Sequence, residues 1–256
     1  MISLEKKNSI GIITLNRPKA FNSFIKEMAI SMQSKLDTCK NDDGIRCVVI
    51  TGYGKAFCAG QDLNEAINPN GPQIEEIVTK HYNPIIKKIR EIEKPVLAAV
   101  NGVAAGAGAN LALSCDLVVA TKSASFIQAF SKIGLVPDSG GTFFLPRLIG
   151  LPKATALMMT GEKVMAEDAE KMGMIYKVFE DSEFNNMAIL LAQKLAAMPT
   201  KGLGFIKKLL NESLNSNLYT QLDLEGKMQV LASKTDDHKE GVQAFLEKRK
   251  PEFLGK

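Results

Sequence analysis

With 256 residues, 45% of them hydrophobic and 23% charged, the chain can bury a sizeable core and has an ordinary globular composition. A net charge of +4, from 32 basic and 28 acidic residues, is too weak to argue for a nucleic-acid partner, and no apolar run reaches the roughly 18 residues of a membrane span. The cysteines (39, 47, 58 and 115) and the two histidines lack metal-ligand or CxxC spacing, which predicts reduced, mostly buried thiols and no metal site. The N-terminus opens on strand-like sequence without a basic-apolar leader, and Phe253-Leu254-Gly255-Lys256 is not a peroxisomal tripeptide, so the expected compartment is the cytoplasm.

In chain order, residues 2–5 and 10–15 alternate apolar and polar around Lys6-Lys7-Asn8 and predict a hairpin. Residues 17–20 read as a loop. Ile25, Ala29, Met32, Leu36 and Cys39 recur at helical spacing, and Asn41-Asp42-Asp43-Gly44 ends that helix. Residues 47–51 predict a buried strand. Residues 64–74, rich in Asn, Pro and Gly, predict a loop suited to a substrate-adapting lid. Ile77, Tyr82, Ile85, Ile86, Ile89 and Ile92 mark a long helix kinked at Pro84. A strand at 96–100 then runs into a glycine-rich helix, and further strands are expected at 117–120 and 124–130. Residues 134–141 form a loop leading to a helix near Thr142. A helix over 165–172 stops at Gly173, a last strand covers 175–179, and from Glu183 the pattern is helical, with stripes such as Leu190, Leu191, Leu195 and Met198. The fold class is therefore α/β, with residues 1–182 as a core and 183–256 as a helical region of one functional unit.

Two stretches could carry chemistry. Residues 101–115, NGVAAGAGANLALSC, follow the apolar run at 96–100 and place only small side chains at a helix start. Unpaired N–H groups there attract developing negative charge, which is how main chain alone builds an oxyanion hole. Tight packing of a helix on a sheet would select the same residues. Residues 52–62, GYGKAFCAGQD, repeat the arrangement after the run at 48–51 and leave a spare N–H at Gln61. Two such sites converging on one carbonyl oxygen would make a pair of donors.

These residues carry a resemblance. Leu15-Asn16-Arg17-Pro18, AFCAGQDL at 56–63, KPVLAAVNGVAAGAGANLALSCDL at 94–117 and SASFIQAFSKIGLVPDSGGTFFLPRLIG at 123–150 are in the expected order. With AEDAEKMGMIYKV at 166–178 and FLEKRKPEF at 245–253, they span practically the whole chain. The chain resembles the enoyl-CoA hydratase/isomerase (crotonase) family, and within it the isomerases acting on the ring 1,2-epoxide of phenylacetyl-CoA. The resemblance implies a spiral of ββα units in residues 1–182 and a C-terminal helical trimerisation region, with assembly as a homotrimer or a dimer of trimers.

It also implies the site. By motif match the oxyanion donors are the backbone N–H groups of Gln61 and Ala107, holding the enolate oxygen of an acyl-CoA thioester. The two glutamates with which the family's hydratases activate water correspond here to Asn110 and Phe130, neither of which can act as a base. The single carboxylate of the isomerases corresponds to Asp138, in Val136-Pro137-Asp138-Ser139-Gly140-Gly141. Read without the resemblance, Asp138 equally caps the following helix or makes a turn with Ser139. An apolar neighbourhood of Phe130, Leu135 and Phe143 would raise its pKa and make it a better base. Lys19, Ala20, Ala59 and Leu63 match segments along the CoA, while Phe245 and Lys248 match its adenosine phosphate end, in a neighbouring subunit if the trimer forms. No cofactor is implied, because CoA belongs to the substrate. Asp62 and Asp116 read as structural, and basic pairs such as Lys207-Lys208 read as a solvated face. The competing readings are a hydratase or another enolate-forming family member, and, in another class, a non-catalytic acyl-CoA or RNA-binding protein of the same fold.

Overall fold

The structure is a computed structural model that describes residues 1–256. Strands β1 (Ile2–Lys7) and β2 (Ile10–Leu15) form the expected hairpin, followed by helix α1 (Lys26–Asn41). A strand-strand-helix unit then recurs. In the first, β3 (Cys47–Gly52) and β4 (Ala56–Cys58) lead into the short helices α2 (Leu63–Ala66) and α3 (Ile74–Glu76), a π turn (Ile77–Tyr82) and α4 (Asn83–Glu91). In the second, β5 (Val96–Val100) and β6 (Val103–Ala105) lead into α5 (Ala107–Leu113). In the third, β7 (Leu117–Thr121) and β8 (Ser125–Ile127) lead through a 3-10 turn (Ala129–Ile133) into α6 (Gly141–Ile149) and α7 (Leu151–Thr160). Strand β9 (Lys163–Met165), α8 (Ala166–Lys171) and β10 (Lys177–Phe179) complete the core, and α9 (Phe184–Ala196), α10 (Thr200–Ser213), α11 (Leu218–Ser233) and α12 (Asp236–Leu246) follow.

The first strand of each unit joins one sheet, in the order β1-β2-β3-β5-β7-β10, parallel except for β1. The second strands turn away into another sheet, β4-β6-β8-β9, with β9 antiparallel. A parallel sheet covered on both faces needs apolar side chains on both, which is why these strands read as continuous apolar runs. Val48, Ile50, Val96, Ala98 and Val100 face the main core, whereas Cys47, Val49, Leu97, Ala99 and Val119 face the other way. The second face is covered by α9, whose Phe184, Ala188, Ala192 and Ala196 fall on one side at intervals of four. The first of the C-terminal helices is thus packed directly on the sheet.

The corner between the sheets is tied by Asn101. Its Oδ1 accepts the Gly52 N–H at 2.9 Å, and its Nδ2 donates to the Gly54 carbonyl at 2.9 Å. A Cβ on Gly102 would run into the Lys55 carbonyl, so the chain can cross there only as glycine.

Several expectations change. The stretch after Gly102 is first a strand, β6, and the helix begins only at Ala107, because Val103, Ala104 and Ala105 pair with β8. Of residues 124–130, the last two turn into 3-10 helix. The loop expected at 64–74 opens with the helical turn α2. Helix α7 and strand β9 had not been expected, and the last strand is only Lys177–Phe179. The disturbance near Pro84 is a π turn in which the Asn83 N–H donates to the Val78 carbonyl. Proline has no N–H to offer the Lys80 carbonyl, which instead accepts Gln33 Nε2 from α1 at 2.8 Å.

Lys207 is also not on a solvated face. It is 7% exposed, ion-paired at 2.8 Å with Asp116 and hydrogen-bonded to the Ile89 carbonyl at 2.6 Å. Asp116 in turn accepts Arg90 at 3.1 Å and the Val96 N–H at 2.8 Å, consistent with its structural reading.

Candidate active site

The site grows from the crossing of the 58–62 segment and the start of α5. Gln61 lies in a parallel bridge with Phe24: the Phe24 N–H donates to the Gly60 carbonyl at 2.7 Å, and the Asp62 N–H donates to the Phe24 carbonyl at 2.9 Å. In that pattern the N–H of Gln61 itself points away from Phe24. Gly60, at φ +90°, lies so close to α5 that a Cβ would stand 3.0 Å from the Ala105 carbonyl oxygen and 3.5 Å from the Ala107 nitrogen. Helix α5 starts after Gly106 (φ +53°), and the Asn110 N–H donates to the Gly106 carbonyl at 3.1 Å. The N–H groups ahead of Asn110, Ala107 among them, have no partner within the helix. The peptide groups of Gln61 and Ala107 are therefore neighbours, and a Cβ at 107 is harmless because the backbone there is helical.

Asp138 enters from the loop before α6. Its carbonyl oxygen accepts the Gly141 N–H at 2.9 Å and Asn110 Nδ2 at 2.9 Å, and its Oδ1 accepts the Ser139 hydroxyl at 2.9 Å. Helix α6 has no side-chain cap, so of the two structural readings of Asp138 the molecule adopts only the turn with Ser139. Ser139 is buried in the left-handed region (φ +51°), a conformation that costs a non-glycine residue about 1 kcal/mol. Burial pushes the Asp138 carboxyl up, partly opposed by the Ser139 hydroxyl. Of the apolar neighbours expected around it, Phe130 is buried, but Leu135 is 43% exposed. Phe130 closes on the start of α5, where a Cβ on Gly106 would lie 3.7 Å from its Cζ.

Asn110 is fully buried, and its amide is used up on structure: Nδ2 holds the Asp138 carbonyl and Oδ1 accepts Gln128 Nε2 at 2.8 Å. Gln61 has a comparable bridge. Its Oε1 accepts the Tyr82 hydroxyl at 3.1 Å and its Nε2 donates to Glu65 Oε2 at 2.8 Å. Sequence reasoning missed both roles: Tyr82 counted only as one apolar position in a helical stripe, and Asn110 only as an absent base.

Lys19 and Ala20 form a 3-10 turn (Pro18–Ala20) beside the site. Arg17 anchors that turn through Asp62 (2.6 Å) and the Ser23 carbonyl (3.0 Å), and the Ala59 N–H donates to the Phe21 carbonyl at 3.0 Å. Asp62 also accepts the Asn64 N–H at 2.9 Å, capping α2, so its structural reading holds. Leu63, the first residue of α2, is exposed. Lys19, Ala20, Ala59, Gln61 and Leu63 thus gather along one crossing. Phe245 and Lys248 do not join them. They lie at the end of α12, which packs on α11 and on the C-terminal tail, where Asp237 accepts the Leu254 and Gly255 N–H groups.

Paired sheets built from ββα units, with the Gln61 and Ala107 peptides side by side at a strand-helix crossing and the half-buried Asp138 on the loop before α6, define a protein of the crotonase fold. The sequence pattern of the enoyl-CoA hydratase/isomerase family matches residues 5–256, and the chain belongs to that family. It is 48% identical over 253 residues to the 1,2-epoxyphenylacetyl-CoA isomerase of Escherichia coli (strain K12), covering 98% of this chain and 97% of that protein. It is 33% identical to the short-chain-enoyl-CoA hydratase of Clostridium acetobutylicum, covering 98% and 96%. Among solved structures, the enoyl-CoA hydratase of Bacillus anthracis superposes with a TM-score of 0.95 at 33% identity, covering 100% of this chain and 99% of that one.

The Asp138 carboxyl makes a stability prediction. Its folded pKa lies above its ordinary value of 3.8, so burying it favours the protonated form. Its favourable contribution is complete below the unfolded pKa and is lost as pH rises through the folded one. Asp138→Asn should therefore raise the melting temperature at pH 7, and the gain should shrink as pH falls toward 4. Thermal unfolding of both proteins across that range checks this. A variant less stable than the parent at pH 7 would contradict it.

Proposed function

We propose that the protein is an acyl-CoA isomerase that moves a proton by way of an enolate. The observation that carries this reading is the pairing of a half-buried Asp138 with Asn110 and Phe130 at the positions where a hydratase needs glutamates. Asp138 removes a proton from the acyl chain. The electron pair left behind moves onto the thioester oxygen, which accepts the Gln61 and Ala107 N–H groups. Each donor of this kind supplies on the order of 3 kcal/mol. Asp138 then returns the proton further along the conjugated system, turning a 3-enoyl-CoA into the 2-enoyl-CoA. The same enolate supports rearrangement of ring 1,2-epoxyphenylacetyl-CoA to the oxepin, the substrate suggested by the name of the 48%-identical relative. Lys19, Ala20, Ala59 and Leu63 line the path of the CoA, and Phe130 makes one wall dry. The proposed chemistry uses no metal or redox step.

Hydration is the second reading, since other relatives carry that name. It is disfavoured because the Asn110 amide is occupied on both sides and Phe130 offers no base. The deciding assay supplies 3-hexenoyl-CoA to purified protein and follows the conjugated thioester, with Asp138→Asn alongside. The expected outcome is isomerisation that falls at least a hundredfold in the variant, in line with loss of an acid-base group, without accumulation of a hydroxyacyl-CoA. Hydroxyacyl-CoA as the main product, or an unaffected variant, would overturn the reading.

The assembly belongs to the same proposal. Helix α11 buries only Met228 yet exposes Leu218, Tyr219, Leu222 and Val230, and on α12 Phe245 is 82% exposed. Copies of the chain meeting over these faces, as a homotrimer or a dimer of trimers, would cover them and carry Phe245 and Lys248 to a neighbour's CoA. Light scattering should give a mass of three or six chains. A monomer at micromolar concentration would contradict this.

A further inference from the structure

A phenol buried beside the donor peptide has no part in the proton shuttle. Tyr82 is 2% exposed, with its ring 5.7 Å from that of Phe24, and its hydroxyl donates to Gln61 Oε1 at 3.1 Å. The nitrogen of the same amide donates to Glu65 Oε2 at 2.8 Å, and Glu65 Oε1 accepts the Lys26 N–H, at the first residue of α1, at 3.0 Å. The Gln61 side chain is thereby fixed at both polar atoms, to a buried ring on one side and a helix start on the other.

Such an anchor answers a local weakness. The residue before the donor is Gly60 at φ +90°, which has no side chain to hold its own peptide and is there because a Cβ would crowd the Ala105 carbonyl. The Gly60–Gln61 peptide, whose N–H is the donor, is held at its carbonyl by the Phe24 N–H at 2.7 Å, and the Gln61 side chain supplies the second anchor that fixes its tilt. The π turn contributes by presenting consecutive buried side chains to different partners. His81 lies 3.8 Å from Glu76, while Tyr82 reaches Gln61. Burial, reinforced by the negative charges of Asp138 and Glu65, holds the Tyr82 pKa well above the usual phenol value, so the hydroxyl stays a donor at every working pH.

We propose that Tyr82 is a positioning residue of the oxyanion site: through the Gln61 amide it keeps the Gln61 N–H aimed at the thioester oxygen. This rests on the reading of Gln61 and Ala107 as the donors. The phenol touches neither the substrate nor the moving proton. Its effect is felt where the oxygen carries most charge, in the enolate, and little in the bound ground state.

The test uses whole enzyme and acetoacetyl-CoA, a β-keto thioester whose enolate absorbs in the near ultraviolet. A working oxyanion site lowers the pH at which the bound ester ionises. Tyr82→Phe should raise that apparent pKa by about one unit, the equivalent of a tenfold loss of enolate stabilisation. The kcat for 3-hexenoyl-CoA should fall about tenfold, while KM changes less than about threefold. Gln61→Leu breaks this link and the Glu65 one from a partly exposed position and should shift both readouts at least as far, so the proposal remains testable if Tyr82→Phe folds poorly. The double variant should lose no more than Gln61→Leu alone, because that variant already removes the Tyr82 connection. An unchanged enolate pKa in a folded variant overturns the positioning role, even if the melting temperature falls. If wild-type protein itself does not favour the enolate, the donor reading fails, a result distinct from a wild type and variants that favour it equally.

Discussion

The structure depends on one close approach, between the end of β4 and the first turn of α5. A Cβ on Gly108 would lie 2.7 Å from Cys58 Sγ and would run into the Cys58 carbonyl, so these segments touch through backbone and small atoms only. That contact is what brings the peptide after Gly60 alongside the Ala107 nitrogen. Two peptide N–H groups from remote parts of the sequence, the donors of the proposed mechanism, are thereby held side by side, and preorganised dipoles of this kind do not have to reorient as charge develops. The two sheets, the Asn101 tie and the packing of α9 all serve to hold this crossing rigid.

Around the crossing, the polar side chains differ in how firmly they are held. Asn110, Gln128, Gln61 and Glu65 are engaged with one another or with backbone. Asp138 has its carbonyl secured twice, while its carboxylate is held only by Ser139. A half-buried carboxylate with one side-chain hydrogen bond, carried on a loop with Ser139 and Gly140 at positive φ, is a costly arrangement. Such costs collect where function requires a particular group in a particular state. The frame residues are what keep the arrangement from relaxing.

Much of this was legible in the sequence. The parallel strands announced themselves as apolar runs, because both faces of their sheet are covered, and the helices at 26–41 and 166–171 by helical apolar spacing and a terminal turn signal. The motif match located Gln61, Ala107 and Asp138 in segments the fold brings together. What was not legible has physical reasons. Val103-Ala104-Ala105 carries too little side chain to show a strand period, so β6 was hidden inside a helix-like stretch. The π turn follows from Pro84 meeting a donor on a distant helix, Gln33. Tyr82 and Lys207 are ordinary members of a stripe and of a basic pair until tertiary packing gives each a single partner set.

In the proposed mechanism one thioester oxygen is shared by the Gln61 and Ala107 N–H groups, with Asp138 facing the acyl chain. The most direct measurement is a crystal structure of the enzyme with an acyl-CoA that lacks a movable double bond. The thioester oxygen should lie about 2.7–3.1 Å from both nitrogens, with the Asp138 carboxylate on the same side as the carbons that exchange the proton. A thioester oxygen bound away from either N–H, or an Asp138 carboxylate turned out of the acyl pocket, would contradict it.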